Sequence, residues 1–296
     1  MKVILLTAQL ALACLPLMSA YAESVAYLKY TKDFWQVHIK DTETGEDRQA
    51  TSTDYDKTRV SWVGKNKMFV NGVQGQMTIV DLSSGEEKPL PLISSHVNDA
   101  VLSKDGRYIL YSTISDTSDL NRLYILDRNS DKNTALPKRE GLQFDPAWSS
   151  DGRHFYFVAG DNRGPYSLWQ SSLDGGDQRP VVKNRHHNLD INESSGGILA
   201  YSSNQAGNYD IWINENGQTR QLTEYEGYDG KPNWSGDGKT VYFESTRNGV
   251  VNIWSMTVDD PDTKAWHKPV QITHSDQGAR LPVVYVGDQV RDTQEQ

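Results

Sequence analysis

Three histidines would make a divalent-metal site if the fold brought them together. His96, His187 and His274 lie in or near segments that lead into apolar runs of one kind. Neutral imidazoles are ordinary ligands for such ions. They stand six, five and ten residues before the matching positions of those runs. That spread fixes no common ligand geometry, so neither a metal nor a cofactor is assigned. His38 and His154 fall inside strand-like runs and read as packing or surface residues. The same leading segments carry Asn98 and Asp99; Gln143, Phe144 and Asp145; His186, Asn188 and Asp190; Tyr228, Asp229 and Lys231; and Asp276 and Arg280. Asp54, Tyr55 and Asp56 hold an equivalent place. Asp and Asn are common in turns because they bond their own backbone. Convergence of several such segments on one rim is what would turn them to function.

Other chemistry is not written in the chain. There is no Gly-x-Ser-x-Gly elbow, no His-Glu-x-x-His and no phosphate-binding glycine loop before a helix. Cys14 is the only cysteine, so neither a disulfide nor a thiolate metal site is available to the rest of the chain. The formal net charge is −9, with no basic stripe, which disfavours nucleic acid as a partner. No catalytic residue is assigned. The candidate partner-binding residues are Asp99, Phe144, Asp145, His187, Asp190, Tyr228, Asp229 and Arg280.

The elements that must position these residues repeat. PAWSSDGRHFYF at 146–157 returns as PNWSGDGKTVYF at 232–243, with seven of twelve positions identical. Weaker copies follow Trp62, Leu102 and Asn192, giving anchors at 62, 102, 148, 192 and 234. Each anchor precedes a polar turn, often Asp-Gly, and then an alternating apolar run. A second half follows, as in Asn208-Tyr209-Asp210-Ile211-Trp212 and Asn252-Ile253-Trp254, ending in a short run such as Gln221-Leu222-Thr223. Four strand signals in every 40–46 residues, with no long segment of helical period, point to a β-propeller. Residues 24–51 supply three strands without an anchor, and Leu281–Tyr285 supplies an anchor strand with nothing after it. The last strand is expected to complete the first blade and close a ring of six. The prolines are expected just before the innermost strand, and the tryptophans between blades.

The pattern Pro-x-Trp-Ser-x-Asp-Gly, an apolar strand, Asn-x-x-Ile-Trp and a Leu-Thr ending resembles the propeller repeats of TolB-type periplasmic proteins. The resemblance covers about residues 24–286 and is to the propeller alone. It implies a non-catalytic scaffold that docks an envelope protein or lipoprotein. Similar repeats occur in oligogalacturonate lyases, which implies the alternative of a metal-dependent polysaccharide lyase with His187 near the channel. A third reading is a sensor with a small ligand in the channel.

The N-terminus reads as a secretory signal at 1–22: Lys2, an apolar stretch and Ala20-Tyr21-Ala22 before the cut. A lipoprotein signal at Cys14 is the lesser alternative. The expected organisation is therefore a signal peptide, a six-bladed all-β propeller over 23–286 and a polar tail over 287–296. The expected product is a periplasmic monomer without a transmembrane segment.

Overall fold

The computed structural model describes residues 23–113, 121–137, 141–161, 163–258 and 268–286. The segment 1–22, where a signal peptide with Cys14 is expected, and the segment 287–296, where a polar tail is expected, lie outside the described residues. The chain forms a six-bladed β-propeller, each blade a four-stranded antiparallel sheet. The last strand, Ala279–Val284, pairs with the first, Ser24–Thr31, and completes blade 1 as expected. The innermost strands of blades 2 to 6 are Lys57–Trp62, Val97–Leu102, Leu142–Trp148, Asn188–Glu193 and Asp229–Trp234. Among the described residues, the one helical element is the 3-10 turn Val73–Gly75. No helix among them is long and apolar enough to cross a membrane.

The core sits between blades. Six apolar clusters each join side chains of two neighbouring blades, one cluster per seam. Blade 1 with blade 6 is among them, through Tyr27, Tyr242 and Ile253. Trp234 is 1% exposed and packs Ile211 and Ile213 of blade 5 against Phe243 of blade 6. Burying an indole of this size contributes on the order of 5 kcal/mol. Trp62 and Trp148 also donate Nε1–H to a carbonyl of the preceding blade, Val283 at 2.9 Å and Val101 at 3.3 Å.

The Ser-x-Asp-Gly turns have one construction. Asp105, Asp151 and Asp237 each accept the serine hydroxyl two residues before and the N–H two residues after. The following Gly152 and Gly238 stand at φ 69° and 70°, a region open to glycine. The Leu-Thr endings are equally local. Thr51, Thr223 and Thr273 each accept the N–H of Val37, Ile211 or Ile253. Each also donates to the residue before that N–H, namely Gln36, Asp210 or Asn252.

Two readings of the repeat need correction. Pro146 and Pro232 lie inside the innermost strands rather than before them, at a bulge where the ladder needs no donor. In blade 5 the anchor is Glu193, because it pairs with Leu199 as Trp148 pairs with Phe155 and Trp234 with Val241.

Candidate functional site

With the anchors corrected, the residue three places before each one is Arg59, Asp99, Asp145, Asp190, Lys231 or Leu281. Five of the six are charged, and they come from blades 2 to 6 and blade 1 in turn. Every innermost strand breaks register beside this position. Asp145, Asp190, Lys231 and Leu281 are held at left-handed φ, between 50° and 59°. Such a conformation is uncommon for residues other than glycine and costs energy that surrounding contacts must offset.

Those contacts are ionic. Arg59 of blade 2 reaches past blade 3 to Asp145 of blade 4, with Nη1 donating to Oδ1 at 2.8 Å and Nη2 to the Pro146 carbonyl at 2.7 Å. Asp99 lies 3.5 Å from the same Nη1. Lys231 pairs with Asp190. Burial alone would raise the Asp145 carboxyl, but Lys231 and Arg59 hold it down at about 2. Lys231 is raised despite its burial, because Asp145 and Asp190 face it.

The same carboxylates receive the bulge N–H groups from blade to blade. Asp145 accepts the Asp190 N–H at 3.1 Å, and Asp190 accepts the Lys231 N–H at 3.4 Å, a contact shared with Ser202 Oγ. Ser202 in turn donates to Asp190 at 2.7 Å. At the next seam Lys231 has no acceptor to offer. Glu244, from the second strand of blade 6, accepts the Leu281 N–H at 2.8 Å instead.

This network floors a cavity of about 790 Å³, whose lining runs from Arg59, Asp145, Asp190 and Lys231 to the exposed turn residues Lys104, Ser150 and Arg153. It therefore separates the face carrying those turns from the opposite face, where the loops lead into the innermost strands. We refer to the latter as the loop face. There Phe144 packs edge-on against Tyr166 at 5.3 Å, His187 against Tyr166 at 4.8 Å, and Tyr228 against Tyr209 at 6.3 Å. Burial, then Asp190 and Glu244, raise the Tyr228 hydroxyl. Arg280 is exposed, with its guanidinium 5.9 Å from the Trp35 ring centre.

The structure thus brings together Asp99, Asp145 and Asp190 on the axis, and Phe144, His187, Tyr228 and Arg280 around the loop face. Asp229 stands apart, fully buried in a bidentate pair with Arg247 at 2.7 Å for both bonds. Sequence reading missed Arg59, Ser202 and Glu244. Arg59 was findable from its spacing to Trp62. Glu244 was not, since it lies on a strand that otherwise alternates as core. Among the described residues, no group of three or more His, Cys, Asp or Glu could hold a metal ion.

Six four-stranded antiparallel sheets in a ring, with ion pairs between residues of their innermost strands, define a six-bladed β-propeller. Known structures agree on the fold. TolB from Acinetobacter baumannii superposes with TM-score 0.72 at 18% identity, over 88% of this chain and 66% of that one. A protein described as TolB from Agrobacterium tumefaciens gives 0.69 at 16%, over 85% and 89%. An oligogalacturonate lyase in complex with manganese gives 0.55 at 16%, over 79% and 71%. An uncharacterised protein of Agrobacterium fabrum is 27% identical over 165 residues, 53% of each chain. This chain thus spans about half the length of that relative and just under two thirds of the Acinetobacter TolB. No family model matches. The chain has the six-bladed fold of the TolB propellers.

Proposed function

We propose that this protein is a periplasmic, non-catalytic scaffold that docks an envelope protein or lipoprotein on its loop face, and that it does so as a monomer. The observation that carries the reading is the division of labour about the axis. Charged side chains there satisfy one another, while aromatic residues and Arg280 remain on the loop face. Aromatic and arginine side chains are the usual anchors of protein interfaces, and surrounding acids set the charge of the partner. The likeness to TolB propellers supports the same reading. In this scheme Phe144, His187, Tyr228 and Arg280 make contact, and Asp99, Asp145, Asp190 and Asp229 hold the face rigid and set its potential.

The test is crosslinking in the periplasm followed by mass spectrometry, comparing the native protein with Phe144→Ala/Tyr228→Ala. The double variant should lose most of the crosslinked partner while keeping a cooperative thermal unfolding transition, lowered by the packing it gives up against Tyr166 and Tyr209. Equal recovery from both proteins would remove the loop face as the docking surface.

A further inference from the structure

The seam between blades 6 and 1 differs from the two that precede it in one respect. Asp145 and Asp190 have both carboxylate oxygens engaged by side chains or backbone N–H groups. Glu244 does not. It is fully buried, its Oε1 accepts the Leu281 N–H, and its Oε2 has no hydrogen-bond partner among the described residues. Arg280 Nε lies 3.7 Å from Oε2, beyond hydrogen-bond reach, and the Arg280 side chain is 50% exposed. Tyr228 folds over Gly230, the residue paired with Glu244. A buried polar atom without a partner is costly and calls for an explanation.

We propose that this seam is a carboxylate-binding site, in which Arg280 and the Glu244 carboxyl together take a carboxylate presented by an extended segment of the partner. The inference rests on reading the loop face as the docking surface. With the Glu244 carboxyl protonated, the Arg280 and Lys231 charges outnumber that of Asp190, so the site favours this ligand over a cationic one. Burial, with Asp190 adding to it, raises the Glu244 carboxyl against the opposing pull of Arg280, the Leu281 N–H and Lys231, and the protonated form donates through Oε2 to an incoming carboxylate while Arg280 donates beside it. The Trp35 ring beneath Arg280 holds the guanidinium and offers an apolar edge to the residue next to the carboxylate. The carboxylate can belong to an Asp or Glu side chain or to a chain terminus; the chemistry is shared.

Isothermal titration with three pentapeptides of one sequence separates the sources. The first carries an internal Glu and an amidated end, the second an internal Gln and a free end, the third an internal Gln and an amidated end. The first or the second should bind at least tenfold more tightly than the third. Arg280→Gln should abolish that difference. Glu244→Gln keeps a donor at Oε2, so it should preserve binding at neutral pH. In the native protein binding should weaken as pH rises through the Glu244 ionisation, and Glu244→Gln should flatten that profile. Equal binding of all three peptides, no binding of any at millimolar concentration, or an unchanged Arg280→Gln would overturn the site. A partner crosslinked equally by native protein and Arg280→Gln would leave the scaffold standing and remove this inference. A bound carboxylate peptide without any crosslinked partner would do the reverse.

Discussion

Replacing Asp210 with Asn should stabilise the protein at neutral pH. Asp210 opens the third strand of blade 5 and is 1% exposed. Burial raises its carboxyl to about 6, with the Asp229 charge adding to the shift. The bonds it makes do not require a charge. Its Oδ1 accepts the Thr223 hydroxyl at 3.4 Å and the Tyr225 N–H at 3.2 Å, and its Oδ2 accepts the Gln221 Nε2–H at 3.2 Å, from an amide that can turn its oxygen toward the variant's Nδ2. In blade 6 the same place holds Asn252, whose Oδ1 accepts the Thr273 hydroxyl at 2.9 Å and the Ser275 N–H at 2.8 Å. In blade 1 it holds Gln36, bonded to Thr51 at 2.7 Å. Two other blades thus run the motif on an amide. Between pH 4 and 6 the folded state holds a proton that the unfolded state has lost, so wild-type stability falls as pH rises through that window. Above pH 6 the full cost is present. A shift of about two units corresponds to at most about 3 kcal/mol. For a domain of this size a gain of 2 kcal/mol raises Tm by about 4–8 °C. Thermal unfolding of both proteins from pH 4 to 8 is the assay. The Tm difference should be small at pH 4, grow to pH 6 and then level off. A less stable variant at pH 7.5, or a difference independent of pH, would refute the reasoning.

Two further outcomes follow from the axis and the seams. Arg59→Gln removes the guanidinium bonds to Asp145 and the Pro146 carbonyl and leaves Asp145 the Lys231 charge alone, so chemical denaturation should show a loss of about 2–3 kcal/mol. Trp62→Phe removes both ring volume and the bond to the Val283 carbonyl, whereas Trp234 Nε1 has no partner among the described residues. Trp62→Phe should therefore cost about 1 kcal/mol more than volume alone predicts, and Trp234→Phe should show no such excess.

The blades were legible because their turns are built from side chains that sequence displays. Ser-x-Asp-Gly and Leu-Thr are local constructions, and a local bond needs no knowledge of the ring. The closing strand was legible for the opposite reason: an anchor strand without a blade and a blade without an anchor strand complete each other. The charged axis was legible only in part. Asp99, Asp145 and Asp190 were read as loop residues because nothing in a single strand announces a bulge. Lys-Pro at 231–232 and Asp-Pro at 145–146 were the available signals, since proline inside an inner strand needs a place where the ladder lacks a donor. Arg59 can be placed by its spacing to Trp62, but its span from blade 2 to blade 4 is a property of the closed ring alone.

The ring also explains why Glu244 is where it is. Turning a strand at a left-handed bulge points its N–H toward the preceding blade, and a buried N–H must find an acceptor. Aspartate at the ring position of the preceding blade supplies one, as Asp145 does for Asp190 and Asp190 for Lys231. Lysine at that position balances the charge of its neighbours but breaks the sequence of acceptors. The acceptor then comes from the adjacent strand, as it already does in part at Lys231, whose N–H lies 3.2 Å from Ser202 Oγ and 3.4 Å from Asp190 Oδ2. A glutamate reaches Leu281, yet a carboxylate brings two oxygens to a place that needs one. The surplus oxygen faces an arginine that is half in solvent. One cation placed for charge balance on the axis thus leaves a buried carboxyl at the seam of blades 6 and 1 whose second oxygen has no hydrogen-bond partner among the described residues.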